Sequence, residues 1–100
     1  MMRPMIRHHV ITTLNDDAKH MAPEIVATLH EWVKSIPECA NFQCGVDAGL
    51  TPGAGDLAVM AEFASADDYR VYATDEEHQR IIKEMIAPNA ASIVRCQTEY

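Results

Sequence analysis

Basic residues are scarce in this chain. Eight Lys and Arg stand against fifteen Asp and Glu, for a net charge of -7. Phosphate backbones are bound through clustered cations. The few here are scattered, so a nucleic-acid partner is not expected. Cysteine is equally sparse: Cys39, Cys44 and Cys96 cannot all pair within one chain, and none lies in a CxxC arrangement. They read as small apolar residues in a reducing compartment. No apolar run approaches the length of a membrane span. The opening MMRPMIRHHV is broken by Arg3, Pro4, Arg7, His8 and His9, which does not suit a signal peptide. The expected address is the cytoplasm, with no membrane partner. Glycine numbers only four, and three of the four fall in the run Gly49 to Gly55, so that segment is a connection and no phosphate loop precedes a helix.

What remains is the composition of one globular domain spanning residues 1–100: 48% hydrophobic and 23% charged, too apolar for disorder. One hundred residues leave no room for a second core. A domain of this size gains by hiding a further apolar face against a partner.

The first apolar segment, Met5 to Leu14, is short and β-branched, which predicts a strand. Period-two alternation sends Ile6, His8, Val10, Thr12 and Leu14 to one face. Arg7, His9, Ile11 and Thr13 go to the other. Asn15, Asp16 and Asp17 form a turn and offer helix caps. Ala22, Ile25, Val26, Leu29, Trp32, Val33 and Ile36 then recur at helical spacing, with Pro23 and Glu24 at the start and Pro37 as the stop. Strands are predicted from Cys39 to Val46 and from Asp56 to Phe63. Ser65 with Asp68 resembles a capping box that opens a short helix carrying Tyr69 and Tyr72. Thr74 with Glu77 resembles a second box, opening a helix with Ile81, Ile82, Met85 and Ile86 as its buried stripe. Pro88 ends it, and Ala91 to Tyr100 is the last strand.

The order β-α-β-β-α-β is the split arrangement of an α+β, ferredoxin-like fold: a four-stranded antiparallel sheet with its helices on one face. The opposite face, which includes Ile11 and Met60, needs a cover, and a second copy of the chain related by two-fold symmetry is the simplest one. The expected partner is therefore the chain itself.

The run GDLAVMAEFASADDYRVYATDEEHQRIIKEMIAP resembles the strand-three to helix-two signature of the stress-responsive A/B barrel (Dabb) family. In that family a strand ending in Glu-Phe leads to Ser, a Tyr-containing helix and a His-Gln segment. The opening IRHHV is similar to the family's first strand, and SIP followed by a strand ending in Gly matches its passage from helix one to strand two. The resemblance implies a homodimeric α+β barrel. It also implies a site, because the family includes a plant polyketide cyclase that performs an aldol condensation with a Tyr and a His. By position those roles fall on Tyr72 and His78, with His8 as a pocket neighbour. Val10, Val26, Leu29 and Val59 complete the candidate binding residues. Asp75-Glu76 stands where the family often shows His-Pro, and Ile25, Val26 and Leu29 stand where the plant cyclase is aromatic.

The two residue types suit this chemistry. An aldol cyclisation needs a base near neutrality and a donor for the developing oxyanion, and imidazole and phenol supply them. At the start of its helix the dipole lowers the His78 pKa, while Asp75, Glu76 and Glu77 raise it. Tyr72 equally suits an amphipathic core position, and His78 a helix-start residue bonded to backbone. No cofactor is called for. No metal site is expected either: His8 and His9 point to opposite faces, and His8 with His78 lacks a third ligand. His20 and His30 are expected in solvent and Trp32 in the core. Three functions follow: a small-molecule-binding barrel, hydrophobic or aromatic in its ligand, with cyclase-like acid–base chemistry; a non-catalytic stress or structural dimer; or a cofactor-independent monooxygenase of the related dimeric-barrel type.

Overall fold

The computed structural model describes residues 5–100; Met1 to Pro4, part of the stretch read for a targeting segment, lie outside the described residues. Strands β1 (Ile6–Leu14), β2 (Cys39–Val46), β3 (Leu57–Phe63) and β4 (Ala90–Glu99) form one antiparallel sheet in the order β2-β3-β1-β4. Helices α1 (Ala22–Val33), α2 (Ala66–Thr74) and α3 (Glu76–Ile81) join them. This is the ferredoxin-like architecture, and no described helix is long and apolar enough to cross a membrane.

The alternation in β1 decides which side of the sheet is covered. Ile6, His8, Thr12 and Leu14 are buried, whereas Ile11 is 46% exposed. β3 obeys the same parity, with Leu57, Val59, Ala61 and Phe63 all buried. Against this face α1 sets Ala22, Ile25, Leu29 and Trp32, and α3 sets Ile81. Such spacing leaves one helical stripe dry and the remainder wet.

Several local expectations are corrected. Asn15 makes no side-chain cap; a 3-10 turn, Asp16–Met21, intervenes before α1. Helix α1 stops at Val33, and the turn after it carries Ile36 into the core. Ser65 does cap α2, accepting from the Asp68 N–H at 3.1 Å. Thr74 is not the cap of α3. Its hydroxyl donates to the Arg70 carbonyl at 2.6 Å and closes α2 instead, and Asp75 caps α3 by accepting from the His78 N–H at 3.0 Å. A carboxylate is the better acceptor at a helix start, because it answers the dipole as well as the free N–H. The helix after it is not uniform: Ile82–Ile86 widens into a π-turn, with the Ala87 N–H donating to the Ile82 carbonyl. His30, expected in solvent, is exposed yet donates to the Cys44 carbonyl across 2.9 Å, tying α1 to β2.

The Gly49–Gly55 connection needs glycine at two positions, where Gly49 and Gly53 have φ of 75° and 79°. β1 ends under a lock of a different kind. Asp56 accepts from the Leu14 N–H at 2.7 Å and from the Lys19 ammonium at 2.9 Å, where the β1–β4 register shifts.

Candidate active site

Only six residues of the chain are Phe, Trp or Tyr. Four of them, Trp32, Phe63, Tyr69 and Tyr72, gather around His8 and His78. The His78 ring stacks on Trp32 with centroids 4.3 Å apart and planes at 16°. Tyr72 lies 4.8 Å from His78, 5.0 Å from Trp32 and 5.6 Å from His8, centroid to centroid. So dense a grouping of a scarce residue type fixes ring positions by contact.

The hydrogen bonds fix the protons. His78 Nδ1 sits 2.9 Å from the Tyr72 carbonyl oxygen, which can only accept. That nitrogen therefore carries the hydrogen, and in the neutral ring Nε2 keeps its lone pair. His8 shows the opposite arrangement: its Nδ1 lies 2.9 Å from the Gln97 side-chain amide nitrogen, which donates, so the His8 hydrogen is on Nε2. Asp75 supports both the helix and the ring beneath it. Its Oδ2 accepts from the His78 N–H and, at 2.8 Å, from the Trp32 indole N–H.

These groups edge a cavity of about 50 Å³ between helices and sheet, otherwise lined by side chains such as Val10, Leu29, Val59 and Ile82. It adjoins a wider cleft of about 270 Å³, with which it shares His8, Tyr72, His78, Ile82 and Arg95. Among the described residues no buried side-chain nitrogen or oxygen lacks a partner. The Tyr72 hydroxyl, which bonds to no other described side chain or backbone group, is accordingly open to this space. Burial pushes the Tyr72 phenol above its ordinary value, so it remains a donor at neutral pH.

The same fold and the same residues connect the chain to known proteins. The stress responsive A/B barrel domain family matches residues 6–98. The chain belongs to that family.

Among solved structures, the A/B barrel domain is similar to a dimeric ferredoxin-like protein of unknown function from Thermobifida fusca. The two are 30% identical over 97% of this chain and 92% of the other, with a TM-score of 0.87. A dimeric protein of unknown function and ferredoxin-like fold from Bacteroides fragilis is 24% identical over 96% of each chain, with a TM-score of 0.81. A hydroxynitrile lyase from Passiflora edulis is 19% identical over 96% of this chain and 93% of the other, with a TM-score of 0.80; at that identity the likeness is one of fold. No curated protein matches.

Of the site residues read from the sequence of this A/B barrel domain, His8, Val10, Leu29, Val59, Tyr72 and His78 line one cavity. Val26 does not; it packs against the core elsewhere on α1, since only Leu29 of the two is turned toward the cavity. The sequence reading missed Arg95, Ile93, Ile82 and Ile86. Strand parity signals the first two: β4 pairs Ile93 with Thr12, Arg95 with Val10 and Gln97 with His8, which puts all three on the helix side. It also missed Asp75 and Trp32 as supports. Among the described residues no group of three or more His, Cys, Asp or Glu is placed to hold a metal ion.

Burial, the neighbouring His78 and the Arg95 charge hold the His8 imidazole down at about 4. His78 is also lowered, chiefly by burial, although the Tyr72 carbonyl and Asp75 oppose the shift. Depressed imidazoles give a definite sign. Unfolded chains take up these protons near the ordinary histidine value, ~6.5, and the folded chain only further down. Stability is then fully present above that value and drains as pH falls toward about 4. Asp56, Asp75 and Glu77 are held below their ordinary values, so their share is lost only near and below the carboxylate range. The melting temperature is expected to fall on acidification from neutrality to the upper carboxylate range, and His8→Gln to flatten that fall. An unchanged slope in the variant, measured by calorimetry across the same buffers, would contradict the assignment.

Proposed function

We propose that this A/B barrel domain binds a small carbonyl compound between its helices and sheet and moves a proton on it without a cofactor. One observation carries the reading. The bond from His78 Nδ1 to the Tyr72 carbonyl leaves Nε2 as a free base in an apolar cavity, beside a phenol that has kept its proton.

The roles follow from that geometry. His78 Nε2 removes a proton beside the ligand's carbonyl, and the Tyr72 hydroxyl donates to the oxygen on which charge develops. The His8 Nε2–H offers a second donor. In a cyclase-like reaction the enolate carbon attacks a second carbonyl of the same ligand, forming one C–C bond. The resulting alkoxide then takes back the proton that His78 holds, so no redox partner is needed. Positioned acid–base groups of this kind contribute on the order of 10²–10⁴-fold to rate. The hydroxynitrile lyase of the same fold supports placing lyase chemistry on such a frame.

The inner cavity, about 50 Å³, exceeds the ~10–15 Å³ that one water needs and falls far short of the ~300–1,000 Å³ of a pocket for a drug-sized ligand. A ligand therefore places only its reacting end inside and extends into the adjoining cleft. The same small volume favours the second reading, a non-catalytic stress-response or structural dimer.

The protomer works as a homodimer on this reading. The face of the sheet away from the helices is an open trough of about 630 Å³, bordered by Ile11, Met60 and Val46. Ile11 and Val94 are 46% and 61% exposed there, and such a surface is costly to leave wet. The similar proteins from Thermobifida fusca and Bacteroides fragilis are described as dimeric, which supports closing this face with a second copy.

Proton abstraction can be read without knowing the substrate, as deuterium uptake from heavy water into the α-carbon of small ketones and 1,3-diketones, followed by NMR. Wild type is expected to accelerate uptake into at least one ketone. His78→Gln and Tyr72→Phe should each reduce that acceleration about 100-fold or more. Equal rates in wild type and both variants would remove the roles assigned to the pair. The dimer has its own test. Sedimentation equilibrium should give twice the chain mass for wild type and the single mass for the Ile11→Glu, Val94→Glu double variant. Wild type found as single chains at micromolar concentration would exclude it.

A further inference from the structure

Arg95 is out of keeping with the charge pattern around it. Acidic residues outnumber basic ones fifteen to eight, and Arg7, Lys19, Lys34, Arg70 and Arg80 each hold a carboxylate within 3.0 Å. Lys83 and Arg95 hold none among the described residues, and of the two only Arg95 borders the cavity. Strand pairing explains where it goes: opposite Val10 on β4, it stands on the helix side of the sheet, two residues from the Gln97 that bonds His8. From there it borders both the inner cavity and the outer cleft.

The lining is unusual in a second way. Neither space is bordered by a single carboxylate, although the chain carries a net charge of -7. Of the other titratable groups facing them, which are His8, His78, Tyr69 and Tyr72, the two lowered histidines and the raised Tyr72 phenol are uncharged at neutral pH. One permanent cation thus borders a mainly apolar cavity and a mixed cleft, and every acidic side chain is missing from both. Arg95 is solvent-exposed where it borders these spaces, its guanidinium offers a planar donor fork, and a carboxylate matches that fork bidentately.

We propose that the ligand of this site is a small carboxylic acid, held by its carboxylate on Arg95 at the mouth while its apolar body and carbonyl reach Tyr72 and His78. The inference rests on the reading of the cavity given above and adds the substrate class to it. A carboxylate fits better than a phosphate ester, because a dianion calls for more donors than the single cation present.

The test is titration of isotope-labelled protein by NMR with benzoate, a medium-chain 3-oxo acid and inorganic phosphate. The neutral counterparts of the acids, benzamide and the 3-oxo acid methyl ester, form the comparison set. At least one acid is expected to shift the ring signals of His8 and His78 and to bind tenfold or more tightly than its neutral counterpart. Arg95→Gln should weaken that acid tenfold or more and leave the neutral compound unchanged. Arg95→Lys, which keeps the charge without the fork, should fall between. Neutral compounds binding as well as acids, with Arg95→Gln silent, would overturn the carboxylate assignment and leave the cavity reading intact. Phosphate binding more tightly than either acid would also overturn it. If no compound moves the histidine signals, the cavity reading fails and this inference with it.

Discussion

A single carboxylate oxygen, Asp75 Oδ2, holds the site together. It accepts the His78 backbone N–H, which starts α3, and the Trp32 indole N–H, which anchors α1. The Trp32 ring then supports the His78 imidazole by stacking, and the Tyr72 carbonyl at the end of α2 takes the remaining freedom from that ring by accepting its Nδ1–H. Three helices thus meet at one histidine. A charged acceptor shared by two donors is stronger than a neutral one.

The direction of each histidine's hydrogen follows from this frame and from the sheet beneath it. The backbone carbonyl of Tyr72, on α2, accepts a hydrogen bond from His78 on α3. On β1 a side-chain amide supplies one to His8. The two imidazoles, which line the same cavity, therefore carry their hydrogens on unlike nitrogens, Nδ1 in His78 and Nε2 in His8. Burial keeps both uncharged at neutrality, and Arg95 reinforces that by disfavouring further positive charge nearby. The difference between them arises from surroundings, since the two side chains are chemically the same.

Much of this was legible in the sequence because periodicity reports burial. Alternation in β1 and β3 and the three-and-four spacing of α1 each follow from one dry face, so the sheet and its covering helices could be read directly. Six of the seven candidate site residues fall on one cavity by the same logic. Val26 falls outside the cavity because three residues at about 100° each leave it roughly 60° around α1 from Leu29, the difference between two edges of a broad apolar stripe. The cap of α3 was misplaced by one residue, since Thr74 and Asp75 are both good acceptors and only the bond from Thr74 to the Arg70 carbonyl decides between them. The π-turn at Ile82–Ile86 leaves no mark in apolar spacing, and Arg95 gave no sign until the β1–β4 register was known.

The central claim is the protonation state of His78, and nitrogen-15 NMR of its imidazole at neutral pH tests it most directly. The account requires a neutral ring protonated on Nδ1, with Nε2 showing the shift of a bare nitrogen. A ring protonated on Nε2 alone, or a cationic ring, would contradict it.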